Sequence, residues 1–149
     1  MASGISIDIK LLGDKSLSRT FSRLPGAVQK KLLRKGLRAG AKIVLARARI
    51  LAGRISKQLG RLLKVRALKR SRRRMGVLVV APTKAKLGIP EDAKGYWPAH
   101  IEFGFRHTSG KQVPARPYLR PAADQTKEAA FKAIGDSLRE AVDQEWRKK

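Results

Sequence analysis

His100 and Glu102 stand in an H-x-E arrangement, the spacing with which zinc deaminases present a ligating imidazole and a proton-transferring carboxylate. That chemistry also needs a P-C-x-x-C segment, and the chain contains no Cys. The same inventory removes disulfides, thiolate zinc sites, iron–sulfur clusters and a Cys nucleophile. Glu91, Asp92 and Lys94 carry the residue types of a Mg-dependent nuclease, in which carboxylates hold the ion and a Lys faces the anion. They lie in a stretch bounded by Pro90 and Gly95, with Glu102 the only carboxylate close in sequence, so a solvated turn is expected. The phosphate-binding G-x-x-x-x-G-K-[ST], a G-x-G-x-x-G after a strand and the nucleophile motif G-x-S-x-G are all missing. Ser71 and Ser109 have no base and orienting acid implied nearby. A catalytic role is therefore not expected, and no cofactor or metal is implied.

The cationic residues say more. Lys and Arg number 35 against 11 Asp and Glu, a formal net charge of +24. Residues 15 to 90 hold 23 of these cations and no acid, whereas residues 91 to 149 hold eleven cations and nine acids. Pairing within the chain cannot neutralise most of the first group, so a polyanion or an acidic protein surface is the expected counterpart. The densest run is Lys69, Arg70, Ser71, Arg72, Arg73 and Arg74, five charges in six positions that repel one another unless solvated or met by a partner. Aromatic residues make up 5% of the chain and none interleaves with this run, which speaks against base-stacking platforms. Contact with phosphates irrespective of sequence, or assembly against acidic protein, is what remains.

These residues must be positioned by a fold that 149 residues can build as one domain, 1–149, with a core of its own. Ile5 to Leu11 alternates apolar and polar residues as a half-buried strand does. Pro25 to about Leu51 predicts a long amphipathic helix whose broad apolar face joins Val28, Leu32, Ala39, Ile43, Ala46 and Ile50 to the adjacent Leu33, Leu37, Gly40, Val44, Ala48 and Leu51, with most of its Lys and Arg opposite. Gly36, Ala39 and Gly40 within it suit close approach of another backbone. Arg61 to Pro82 reads as a basic β-hairpin, about 61–82, whose strands run near Lys64 to Lys69 and Val77 to Val80 and whose tip is the arginine run. Next come a loop, a strand at about Ala99 to Phe105, and finally a second long helix from Tyr118 to about Trp146. The expected class is α+β: two long amphipathic helices packed on a small, mostly antiparallel β-sheet with a basic β-hairpin. The N-terminus has no apolar block with a cleavage site and no run approaches a bilayer span, which predicts a soluble, non-exported chain without membrane contact.

The most specific block runs from His100 to Ala122, HIEFGFRHTSGKQVPARPYLRPA, preceded by Gly95, Tyr96, Trp97, Pro98 and Ala99. With the helix LPGAVQKKLLRKGLRAGAKIVLARAR upstream and a long amphipathic helix downstream, it resembles the head–tail joining or tail-completion proteins of long-tailed double-stranded DNA bacteriophages and prophages. The pattern of that family is an aromatic-containing strand ending in Glu-Phe-Gly, a polar loop, and a Pro-aromatic-Leu-Arg-Pro-Ala lead-in to the last helix. It falls here on Glu102, Phe103 and Gly104, then on Arg116, Pro117, Tyr118, Leu119, Arg120, Pro121 and Ala122. Phe105 and Tyr118 replace the Thr and Phe that the family often carries.

The resemblance implies a structural protein of the virion neck, assembled as a homo-oligomeric ring between the portal, adaptor or stopper proteins and the tail-terminator or tail-tube proteins. It implies residence in the virion, with the host cytoplasm as the place of assembly. Glu102 on a buried strand would need a partner, for which Arg116 or Arg120 is expected, and Gly104 would permit a turn closed to other residues. In such a ring the basic tips Lys69, Arg70, Arg72, Arg73 and Arg74 would face either genomic double-stranded DNA or an acidic neighbouring ring. The residues alone leave a second possibility open, a sequence-independent nucleic-acid-binding protein with a packaging or condensing role.

Overall fold

The computed structural model describes residues 15–68, 75–93 and 95–148. The expected strand at Ile5 to Leu11, the arginine-rich hairpin tip (Lys69, Arg70, Arg72, Arg73 and Arg74) and Lys94 lie outside the described residues.

Helix α1 (Lys15–Ser22) precedes the long α2 (Gly26–Ile55), and Pro25 stands at the junction, where its missing N–H removes no helical bond. The buried positions of α2 are Leu32, Gly36, Gly40, Leu45, Ala48 and Ala52, one stripe at spacings of three to five. Its end is set by Ser56, whose backbone turns extended (φ −150°) while its N–H still donates to the Ala52 carbonyl at 2.8 Å. The Ser56 hydroxyl then accepts from the Leu59 N–H and caps α3 (Lys57–Leu62). Strands β1 (Lys64–Ala67) and β2 (Val77–Val80) pair antiparallel, with Val65 opposite Val79 and Arg66 opposite Leu78. A 3-10 turn at Ala85–Leu87 ends on Gly88 in the left-handed region (φ +67°). Then come α4 (Trp97–Phe103), the two-residue strands β3 (Phe105–Arg106) and β4 (Gln112–Val113), and α5 (Leu119–Trp146).

The molecule is α+β, dominated by the antiparallel pair of α2 and α5. Two apolar clusters hold it. One, at the α1 end, joins Leu24 and Leu32 to Ile134, Leu138, Ala141 and Val142, with Phe21 and Phe131 against it. The other joins Leu45, Ala48 and Ala52 to Leu59, Leu63, Tyr118 and Ala122, with Val65 and Val79 of the hairpin and Trp97 and Ile101 of α4 packed on it. Between them the helices touch backbone to side chain. A Cβ on Gly40 would lie 2.6 Å from Ile134 Cγ1 and 2.9 Å from the Ala130 carbonyl oxygen, so only glycine fits there.

One expected element is corrected. Residues 99 to 105 do not form a strand: 97–103 are helical, and only Phe105 and Arg106 pair with β4. Pro98 occupies the first turn, where it is tolerated, and Gly104 ends the helix at φ +72° and ψ 173°, a combination open to glycine.

Candidate functional site

The segment from Gly95 to Ala122 folds around the Glu102 carboxylate, which is buried (8% exposed). Oε2 accepts from the backbone N–H of Tyr118 at 2.8 Å and of Leu119 at 3.0 Å, and Oε1 from that of Arg120 at 3.1 Å. The side chain of α4 thus satisfies the otherwise unpaired N–H groups that open α5, placing a negative charge at the positive end of a 28-residue helix. The expected ion pair with Arg116 or Arg120 is therefore corrected. Both arginines are exposed, and the carboxylate is consumed by backbone donors.

The rest of the block locks this geometry. The Arg116 N–H donates to the Ile101 carbonyl at 2.7 Å, and the buried Tyr118 hydroxyl reaches the Pro98 carbonyl at 3.4 Å. Burial raises the Tyr118 hydroxyl's pKa well above the ordinary tyrosine value, with the Glu102 charge adding to it. At Gly104 a Cβ would sit 2.8 Å from both the Ala115 nitrogen and the Val113 oxygen, so the β3–β4 ribbon closes against bare backbone. Tyr96, its pKa pushed upward by burial, donates its hydroxyl to the Pro82 carbonyl at 2.6 Å and ties the block to the hairpin. What the block presents outward is Phe103, 70% exposed, with Arg106, Arg116, Pro117 and Arg120 also exposed; Leu119 and Pro121 are half-buried.

The second surface is the cationic one. Lys30, Lys31, Arg34, Lys35, Arg38, Lys42, Arg49 and Arg54 of α2 are exposed, and among the described residues no ion pair involves them. Arg47 instead donates to Gln125 at 2.6 Å, and Arg49 donates Nε and Nη2 to the Leu63 carbonyl at 3.3 and 2.9 Å. Lys64 on β1 has its pKa lowered, first by the neighbouring Lys86 cation and further by partial desolvation and Arg66. Positive charge is crowded at the base of the hairpin.

The residues with possible metal or acid–base chemistry are not assembled. His100 stacks on Phe105 with ring centroids 4.7 Å apart, while Glu102 is spent on α5. Glu91 and Asp92 are exposed in a turn whose backbone carbonyls, at Glu91 and Ala93, are held by the Lys84 ammonium at 3.2 and 2.6 Å. Among the described residues no group of His, Asp and Glu is placed to hold a metal ion, and no helix is long and apolar enough to cross a membrane. Comparison of the chain with protein-family models, with curated proteins and with solved structures finds no match.

Proposed function

We propose that the chain is a non-enzymatic neck component of a long-tailed phage particle, assembling as a ring that joins the portal complex to the tail around the DNA channel. The observation that carries this reading is the combination within one rigid unit of the family-like block and an outward aromatic, Phe103, the most exposed large apolar side chain among the described residues. A ring held by repeated contacts needs such an anchor on each copy, because buried aromatics dominate the energetics of interfaces. The acid-free surface of α2 and the hairpin base supports an inward face toward phosphate or toward an acidic ring.

The test is deletion of the gene in its phage or prophage, followed by electron microscopy and plating. Separate filled heads and complete tails are expected; joined, infectious particles would overturn the reading. Complementation with Phe103→Ser should also fail while the purified variant melts like the parent, since an exposed side chain contributes little to folding.

The same cationic surface favours the second reading, a sequence-neutral nucleic-acid binder. It predicts duplex binding whose log affinity falls by roughly 0.9 per log unit of salt for every phosphate neutralised. A flat response to salt removes it.

A further inference from the structure

Where α2 hands over to α3 the chain folds back on itself unusually closely. A Cβ on Gly60 would lie 2.9 Å from the Arg49 carbonyl oxygen and 3.0 Å from both Cα and N of Gly53. The two helices approach this closely because Gly60 carries no side chain, whereas a Cβ on Gly53 would meet nothing within 4 Å. Beside the crossing is an open notch of about 400 Å³ lined by Arg49, Gly53, Lys57, Gly60 and Arg61: three cations, two glycines and no acid. No large apolar side chain lines it, so an acidic peptide would find charge there but no anchor.

The cations are arranged rather than scattered. Arg49 is held by its two bonds to the Leu63 carbonyl, which orients the planar guanidinium and leaves its remaining donors unused. Lys57 and Arg61 lie four residues apart on α3, where like charges repel. The Leu63 carbonyl that holds Arg49 is adjoined directly by Lys64, whose proton is already loosened by Lys86 and Arg66. Along the chain the cations of the notch are thus followed directly by Lys64 and Arg66 at the base of the hairpin, with Lys86 beside Lys64. A floor of glycines leaves room for a compact tetrahedral anion among three lining cations, which is what a phosphate requires.

We propose that the α2–α3 notch seats a backbone phosphate of double-stranded DNA, held by Arg49, Lys57 and Arg61, with Lys64, Arg66 and Lys86 serving the flanking phosphates. Contacts of this kind fix position and carry no base preference. The inference rests on the part of the proposed function in which the cationic surface meets DNA, and not on ring assembly.

The test is fluorescence anisotropy of the full-length protein with a short labelled DNA duplex across a salt series. Lys57→Ser with Arg61→Ser should reduce the salt slope by about 0.9, one phosphate's worth. The control Lys127→Ser with Lys132→Ser removes the same number of charges from exposed positions on α5 and should change the slope by less than half as much. Gly53→Leu fills the notch without altering charge, and a Cβ at that position meets nothing within 4 Å, so the fold tolerates it. That variant should weaken binding about tenfold, in line with the loss of one seated phosphate. Equal losses in the notch and control pairs, or unchanged affinity of Gly53→Leu, would overturn the proposal. Neither measurement needs partner proteins, so such a result leaves the neck reading standing, while infectious particles from the deletion remove that reading and leave the notch.

Discussion

Replacing Glu102 isolates the interaction on which the lead-in to α5 depends. In Glu102→Ala three backbone donors lose their acceptor at once. The cost differs from one donor to the next. The N–H of Tyr118 is in a buried residue, and stranding such a donor costs about 1–3 kcal/mol. The N–H of Leu119 is half-sheltered, while that of Arg120 regains water on an exposed turn. Loss of a helix cap contributes about 1 kcal/mol on the same scale, so a total near 3 kcal/mol is expected. For a domain of this size about 2–4 °C of melting temperature is lost per kcal/mol, which gives a drop of roughly 6–12 °C. Glu102→Gln keeps one oxygen in the position that serves Tyr118 and Leu119 and turns an amide N–H₂ toward Arg120, so it should cost only about 1 kcal/mol. Thermal melting read by circular dichroism at the helical band measures both. If both variants melt within about 2 °C of the parent, the clamp is not what orders α5. If Gln costs as much as Ala, charge at the helix end rather than acceptor geometry is responsible, and the reasoning fails.

Gly40→Ala should destabilise by about 1–3 kcal/mol, because the added methyl meets the Ala130 carbonyl and Ile134 with no room to shift; an unchanged urea midpoint would show that the helices are not in this contact. Gly53→Ala should instead stabilise by about 0.5–1 kcal/mol, since its Cβ is unobstructed and only helix propensity changes; a lowered urea midpoint would contradict this. Gly104→Ala combines φ +72° with a 2.8 Å backbone clash and should cost more than about 2 kcal/mol, read as a loss of soluble protein or a lowered melt. Tyr118 holds its proton more tightly folded than unfolded, so its contribution is complete below about pH 10 and falls as pH rises toward the elevated native value, at about 1.4 kcal/mol per pH unit. Tyr118→Phe should flatten the alkaline decline in urea stability; parallel curves for parent and variant would refute this.

The long helices are readable in the sequence because their apolar residues recur at three- and four-residue intervals over many turns, and the hairpin because Val77 to Val80 is a short Val-rich apolar run facing a basic partner. α4 is not. His100 to Phe105 mixes aromatic and β-branched residues over too few positions for period two to be told from period 3.6, and the useful signal is Pro98, a residue suited to a helix's first turn. The role of Glu102 is half legible. A buried carboxylate demands donors, but charge alone points to arginine, whereas the actual donors are backbone groups sixteen to eighteen residues later that exist only once α5 has formed. The notch has no periodic signature at all. Gly53 and Gly60 look like weak helix formers until Ser56, a good capping residue, is seen to reverse the chain between them.

The two apolar clusters sit at opposite ends of the α2–α5 pair and share no buried residue. Rigidity is then not evenly distributed. The cluster containing Tyr118 also gathers the hairpin and α4, whereas the one containing Leu24 is closed on its far side by an eight-residue helix. Amide protons near Leu24 and Val142 are expected to exchange with deuterium through a partial opening that leaves those around Leu59 and Ala122 protected. Such a molecule can loosen at the α1 end while the segment bearing Phe103 and the α2–α3 notch each keep their shape.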